Sequence, residues 1–171
     1  MFKTYKINHH LQIKKDLLRY IENDNQGSIK EKQDSITKSD YYNTNKKEYF
    51  KHISNSKIFE KIAEDFFIEE IDIKNVWYQQ YRKNDKHNFH IHDCMMSFIY
   101  FVELSDRAHA TEFFDVENKS IVRANAVEGD VLIFNSYVPH RSPVLIDDTQ
   151  KTIISINFNF KGLSNKINDT I

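Results

Sequence analysis

Apolar positions recur at helical spacing near the start of the chain, where Leu11, Leu17, Leu18 and Ile21 alternate with Lys14, Lys15, Asp16 and Arg19. That spacing predicts a short amphipathic helix, with Asn8 as its N-cap. The stretch Asn23 to Lys47 is dominated by Asn, Asp, Ser, Lys and Gln, interrupted only by Ile29, Ile36, Tyr41 and Tyr42. It reads as too polar for core, and a connection of that length in a compact domain is either a lid or a solvated linker. We expect a mobile cover over the mouth of a binding site, ordered in part by Tyr41 and Tyr42. Helical periodicity returns in Tyr49, Phe50 and Ile53 and, after a break at Ser54-Asn55-Ser56, in Ile58, Ile62 and Phe66.

Beyond Phe67 the texture changes to strand formers: Val76 to Tyr81, Met95 to Val102, Thr111 to Phe114, Val131 to Phe134 and Thr152 to Phe160. Helices first and strands afterwards predict an α+β chain, mainly β, in which N-terminal helices buttress one side of an antiparallel sheet system. Neither an internal repeat nor a Pro- or Gly-rich linker divides the sequence, so a single domain over 1–171 is expected. It would comprise helical support and a polar loop over 1–70, a β core over 71–160 and a tail over 161–171. Period-two alternation gives the last strand one largely apolar face of Thr152, Ile154, Ile156, Phe158 and Phe160. That face calls for helices against it. Its other face, Lys151, Ile153, Ser155, Asn157 and Asn159, is fit to line a pocket or meet solvent.

Composition narrows the class of protein. A hydrophobic fraction of 40% and an aromatic fraction of 13% are those of a folded chain. The formal net charge of -1 gives no electrostatic reason to expect nucleic acid or an anionic membrane as partner. The single cysteine, Cys94, excludes an internal disulfide framework and suits a reducing, cytoplasmic setting, where it is expected to be an unreactive buried thiol. No apolar run follows Met1-Phe2-Lys3, and none is long enough to span a bilayer.

The candidate chemistry centres on Asn88-Phe89-His90-Ile91-His92-Asp93. In extended chain His90 and His92 point the same way, making a two-pronged clamp of neutral imidazoles for a divalent metal. A third ligand from a distant strand would complete it, and His140, delivered by the turn Glu128-Gly129-Asp130 and the apolar strand that follows, is the candidate. Arg141 would face the opposite way, into a surface salt bridge. His9, His10, His52, His87 and His109 have no partner spacing that marks them as ligands.

The order Tyr81, His90-Ile91-His92, Ser97-Phe98-Ile99-Tyr100, Gly129-Asp130, Pro139-His140, Lys151 and Asn157 resembles the Fe(II)/2-oxoglutarate-dependent dioxygenases. It is similar in particular to small members of phage and marine-bacterial type with a prolyl hydroxylase-like barrel. The resemblance covers about the last hundred residues and implies a double-stranded β-helix (a jelly roll, cupin-like) with the N-terminal helices against its larger sheet. It implies Fe(II), 2-oxoglutarate and O2 as cofactors and co-substrates, with His90, His92 and His140 as metal ligands. Lys151 would pair with the far carboxylate of 2-oxoglutarate, with Tyr81 and Asn157 beside it. Where the family carries an acid, this chain has His92. A bulge that turned Asp93 inward would restore a carboxylate, but regular alternation favours His92.

The leading expectation is therefore an oxygenase that hydroxylates a small-molecule or peptidyl substrate. A cupin-like three-His metalloprotein independent of 2-oxoglutarate, and a non-catalytic β-sandwich binding module, are the alternatives, because one barrel can host all three.

Overall fold

The computed structural model describes residues 1–25, 27–31, 33–44 and 47–165. Its large sheet has the strand order β1 (Phe2–Lys6), β8 (Asp130–Asn135), β5 (Met96–Leu104), β10 (Lys151–Leu163), β3 (Ile68–Tyr81) and β2 (Lys38–Ser39). A smaller sheet follows the order β4 (His87–His90), β9 (His140–Ser142), β6 (Glu112–Asp115) and β7 (Ser120–Arg123). Every pairing in both sheets is antiparallel. The architecture is a double-stranded β-helix, and no described helix is long and apolar enough to cross a membrane.

Parity along the strands assigns the two faces of the large sheet. Phe98, Tyr100 and Val102 of β5, Val131 and Ile133 of β8, and Ile154, Ile156 and Phe158 of β10 point outward. There they meet Ile13, Leu17 and Ile21 of α1 (His10–Asn23), Ile53 of α2 (Phe50–Ser54), and Ile58 and Ile62 of α3 (Ile58–Asp65). The intervening residues Ile99, Phe101, Leu132, Phe134 and Ile153 point inward and pack with Phe113 of the small sheet. With both faces covered, these strands become nearly continuous hydrophobic runs.

Several sequence expectations are corrected. The first helix is capped by His9 in the left-handed region (φ 57°), not by Asn8, and Leu11 is 77% exposed. Its phase is set by Ile13, Leu17 and Ile21, and two residues back from Ile13 is about 200° around the helix, away from the sheet. The division at residues 71 and 160 also shifts. β1 lies in the first 70 residues yet pairs with β8, β3 begins at Ile68, and β10 runs to Leu163. Of the tail expected over 161–171, residues 166–171 lie outside the described residues.

The polar stretch is more than a cover. Ile36 is buried in the inner core, and Ser39 and Asp40 are buried as well. Asp40 accepts from the Tyr78 backbone N–H (2.8 Å), from Lys47 (2.8 Å) and from the Tyr49 hydroxyl (3.0 Å), while Ser39 donates to the Tyr78 carbonyl (2.8 Å). These polar side chains satisfy the edge of β3, so the polarity that suggested solvent serves the sheet. Of this stretch, 26, 32, 45 and 46 lie outside the described residues, and the expected mobility remains a proposal.

Replacing Asp40 with Ala strands the Tyr78 N–H and the buried Tyr49 hydroxyl and takes the counter-charge from the partly buried Lys47. We predict a loss of about 3 kcal/mol, in the range for breaking a buried charge pair, read as a lowered urea midpoint at unchanged m-value. A midpoint within error of the parent protein would show that the segment does not hold the edge.

Candidate metal centre

β4 and β9 pair so that His90 stands opposite His140 at the mouth of the barrel. His92 follows two residues after His90, its backbone N–H held by the Ser136 carbonyl at 3.1 Å. The rings of His90 and His140 lie 4.4 Å apart between centroids, those of His90 and His92 4.9 Å, and those of His92 and His140 5.1 Å. One nitrogen from each of the three comes within 4.8 Å of the others. Asp93 is exposed and stands outside this group, so the bulge that would have turned it inward is absent at that position.

The hydrogen bonds fix which nitrogen is free. His90 Nδ1 lies 2.7 Å from the Asn88 carbonyl and His140 Nδ1 3.0 Å from the Val138 carbonyl. A carbonyl only accepts, so each Nδ1 carries the proton and each Nε2 keeps its lone pair for a metal, the outer-shell arrangement usual for ligating histidines. Burial first, and then His90, push His140 down to about 2. Burial and His90 likewise push His92 down to about 4, and burial lowers His90. The rings are neutral and ready to ligate, and the site fits a divalent transition metal in donor type and number.

Behind the triad, Trp77, Gln79 and Tyr81 of β3 and Ile153, Ser155 and Asn157 of β10 enclose an inner cavity of about 20 Å³. That is room for about one water. Lys151 is not in its lining but packs behind Tyr81, 1% exposed, donating to the His109 carbonyl and to Ser142 Oγ, both at 2.8 Å, with the Tyr81 ring 5.2 Å from its Nζ. It makes no ion pair among the described residues, and burial pushes it down to about 7, opposed by Glu112. Glu112 is already gripped by Arg123 (2.6 Å) and Arg141 (2.7 Å). Arg141 thus makes a salt bridge, but with a buried carboxylate and in the lining of the inner cavity, not at the surface as expected, and its guanidinium also covers Phe89.

Tyr81 is buried beside Lys151, and burial raises its hydroxyl while a hydrogen bond with Ser142 opposes the rise. Asn157 shares the inner face of β10, but it lies six residues from Lys151, roughly 20 Å along an extended strand. It accepts from Ser97 at 3.1 Å, and Ser97 continues through Ser136 to Cys94, which is buried. Asn157 is therefore at the metal end of the cavity and not beside Lys151.

His87 escaped the sequence reading. Three residues before His90 it should face the other way, but a register shift between the two stacks their rings at 3.8 Å. Its Nε2 lies 3.5 Å from Asp34 of the polar stretch, and burial followed by the neighbouring His90 pushes it down to about 3. No periodicity signals a bulge, and only the excess of His in 87–92 hinted at it. His109 is also buried, contributing its carbonyl to Lys151.

The fold that carries these residues, a double-stranded β-helix, matches solved structures at low sequence identity. A viral collagen prolyl hydroxylase from Paramecium bursaria Chlorella virus-1, in complex with 2-oxoglutarate, aligns over 92% of this chain and 94% of its own at 9% identity and a TM-score of 0.61. A Pseudomonas putida prolyl-4-hydroxylase aligns over 94% and 93% at 13% identity and 0.61. HygX from Streptomyces hygroscopicus, with nickel and 2-oxoglutarate bound, aligns over 92% and 82% at 7% identity and 0.70. At such identities the likeness establishes the fold. No protein-family model and no curated protein sequence matches the chain.

The depressed histidines make acid lability predictable. Their ordinary value is 6.5, while His92 falls to about 4 and His140 to about 2. Below 6.5 the unfolded chain takes up protons that the folded site refuses, so stability of the metal-free protein falls with pH between 6.5 and about 4. Urea midpoints at about pH 7.5 and 5 should differ, and His140→Gln should shrink the difference. An unchanged difference in that variant would contradict a neutral His140.

Proposed function

We propose that the protein is a non-haem Fe(II)/2-oxoglutarate-dependent oxygenase of hydroxylase type, with His90, His92 and His140 as metal ligands. The observation that carries the reading is a neutral triad in a cavity lined by Ile153, Ser155 and Asn157, with Lys151 buried on that same face of the strand and lacking any carboxylate partner among the described residues. A buried unpaired charge is costly, and a site that keeps one is prepared for an anion. The chain also shares its fold with a HygX structure that holds nickel and 2-oxoglutarate.

Iron(II) held by the triad together with 2-oxoglutarate supplies oxidative decarboxylation, in which O2 is consumed, succinate and CO2 leave and one oxygen atom enters a C–H bond. The protein's own part is positional. The Asn88 and Val138 carbonyls hold the rings of His90 and His140 in the ligating tautomer. Lys151 and the Tyr81 hydroxyl offer an N–H and an O–H to the far carboxylate of the co-substrate, and Ser142 orients both groups. Phe134, packed 4.6 Å from His140, and Phe113 keep water from the triad on the inner side. A lysine makes a point-charge contact without the fork of arginine, which favours modest affinity. The substrate class is a small molecule or a peptidyl side chain, without nucleic acid, and the setting cytoplasmic.

A second reading, a three-His metalloenzyme independent of 2-oxoglutarate, draws support from the 20 Å³ cavity, which a dicarboxylate can enter only if side chains move. Anaerobic titration of the Fe(II) protein with 2-oxoglutarate separates the two. The oxygenase gives a visible metal-to-ligand charge-transfer band and, in air, succinate in step with 2-oxoglutarate consumed. A colourless titration with iron bound favours the second reading.

Two variants follow. Lys151→Met should weaken 2-oxoglutarate by at least about tenfold while leaving iron affinity unchanged, and it should not destabilise the fold, since it removes a buried charge at nearly constant volume. His140→Ala should abolish stoichiometric metal binding, whereas Asp93→Ala should retain it. Loss of metal in Asp93→Ala would hand the ligand role from His92 to Asp93.

A further inference from the structure

Outside the triad opens a second cavity of about 200 Å³, lined by His90, His92, Trp77, Tyr41 and Tyr42 and by Glu31 and Asp34 of the polar stretch. Its lining has a distinct chemistry. Two carboxylates, Glu31 and Asp34, face it, and no lysine or arginine does so among the described residues. Asp34 is held in place, one oxygen accepting from the Asn88 N–H at 2.8 Å and the other lying 3.5 Å from His87 Nε2. Glu31 is held by the Tyr42 hydroxyl at 2.9 Å.

Aromatic rings share the lining with the carboxylates, Tyr42 in contact with Glu31. Tyr41 packs edge-on against Trp77 at 5.3 Å and Tyr42 against Tyr41 at 5.1 Å. Trp77 is 4% exposed, and its indole N–H has no hydrogen-bond partner. A buried orphan donor in a cavity wall calls for an acceptor from elsewhere. Aromatic rings beside carboxylates form the environment that holds an organic cation, through cation–π attraction to the rings and charge-assisted hydrogen bonds to the carboxylates.

We propose that this mouth cavity is the substrate pocket and that it takes a primary ammonium or guanidinium group on an aliphatic stem. Asp34 and Glu31 receive the cation, the stem lies along Tyr41 and Tyr42, and a carbonyl or hydroxyl of the same molecule accepts from Trp77 Nε1. The stem then passes beside His90 and His92, where the proposed oxygenase would act on its C–H bonds. That last link alone rests on the oxygenase reading.

Trp77 is the only tryptophan of the chain and lines this cavity, as it does the inner cavity, so its emission responds to binding here and the Asp34 and Glu31 variants below locate the response. The full chain, loaded with zinc and without 2-oxoglutarate, is titrated with Nα-acetyl-lysine methylamide and with its neutral norleucine counterpart, and in parallel with glucosamine and glucose. A saturable change in Trp77 emission is expected with a cationic probe, at least about tenfold tighter than with the matching neutral one. The tighter of the two cations tells a peptidyl side chain from an amino sugar as the source of the amine. Asp34→Asn, which keeps the acceptor for Asn88, and the surface variant Glu31→Gln should each weaken the cation about fivefold or more and leave the neutral probe unchanged. Equal binding of cation and neutral probe, no saturable change with either cation, or cation binding untouched in both variants overturns the proposal. Cation binding in a protein that gives no 2-oxoglutarate response would leave the pocket standing and remove the oxygenase.

Discussion

The two-sided burial of β10 is the constraint on which the rest of the structure depends. It lies between β3 and β5, and its residues 151–158 are all buried. A strand in that position must satisfy two environments at once. Ile154, Ile156 and Phe158 are large and apolar and pack against the three helices, while Ile153, Ser155 and Asn157 line the inner cavity and Lys151 shares their face. A one-residue slip would exchange the two sets, burying the lysine against the helices and exposing isoleucines to the cavity. Stability and chemistry are thus locked to the same register.

The electrostatics of the interior are equally economical. Three neutral imidazoles bring no charge of their own, and the one interior carboxylate near the base, Glu112, is occupied by two arginines. Lys151 is left without a carboxylate of its own in a low-dielectric enclosure, which pushes its amine down to about 7 and only weakly screens the charge it carries when protonated. An incoming dianion would meet a cation at one end and, with a metal bound, a second at the other. The mouth has the opposite sign, since Asp34 and Glu31 face outward. The barrel is therefore polarised along its axis, and under the two proposals an anionic co-substrate and a cationic substrate would settle at opposite ends of it.

Much of this was legible in the sequence because it follows from period two. His90 with His92, and Lys151 with Ser155, fall on common faces by alternation alone, and the helical faces of Ile53, Ile58 and Ile62 follow from spacing. What was not legible depends on departures from regularity or on distant partners. His87 joins the site through a register shift that no pattern announces. β1 was missed because Phe2-Lys3-Thr4-Tyr5-Lys6 is a short alternating segment whose inclusion depends on pairing with β8, more than a hundred residues away. The stretch around Asp40 was misjudged for a subtler reason: composition reports how polar a side chain is, but not whether its partner is water or the unpaired backbone of a neighbouring strand.

The edges of the large sheet carry a consequence for how the molecule behaves in a crowded solution. β3 is a 14-residue strand, and β2 covers only Gln79 and Gln80 of its outer side. A bare strand of that length would recruit further strands from other molecules. Along the uncovered part the sequence places Glu69, Glu70, Asp72 and Lys74, with a register shift at Asn157/Phe158 that bends the ladder beside it. The opposite edge, β1, is five residues long and bears Lys3 and Lys6. Charge and irregularity thus deter self-association where backbone remains open. A chain shortened to the barrel alone would unpair β8 and the Tyr78 backbone together, opening sheet edges through which copies could stack.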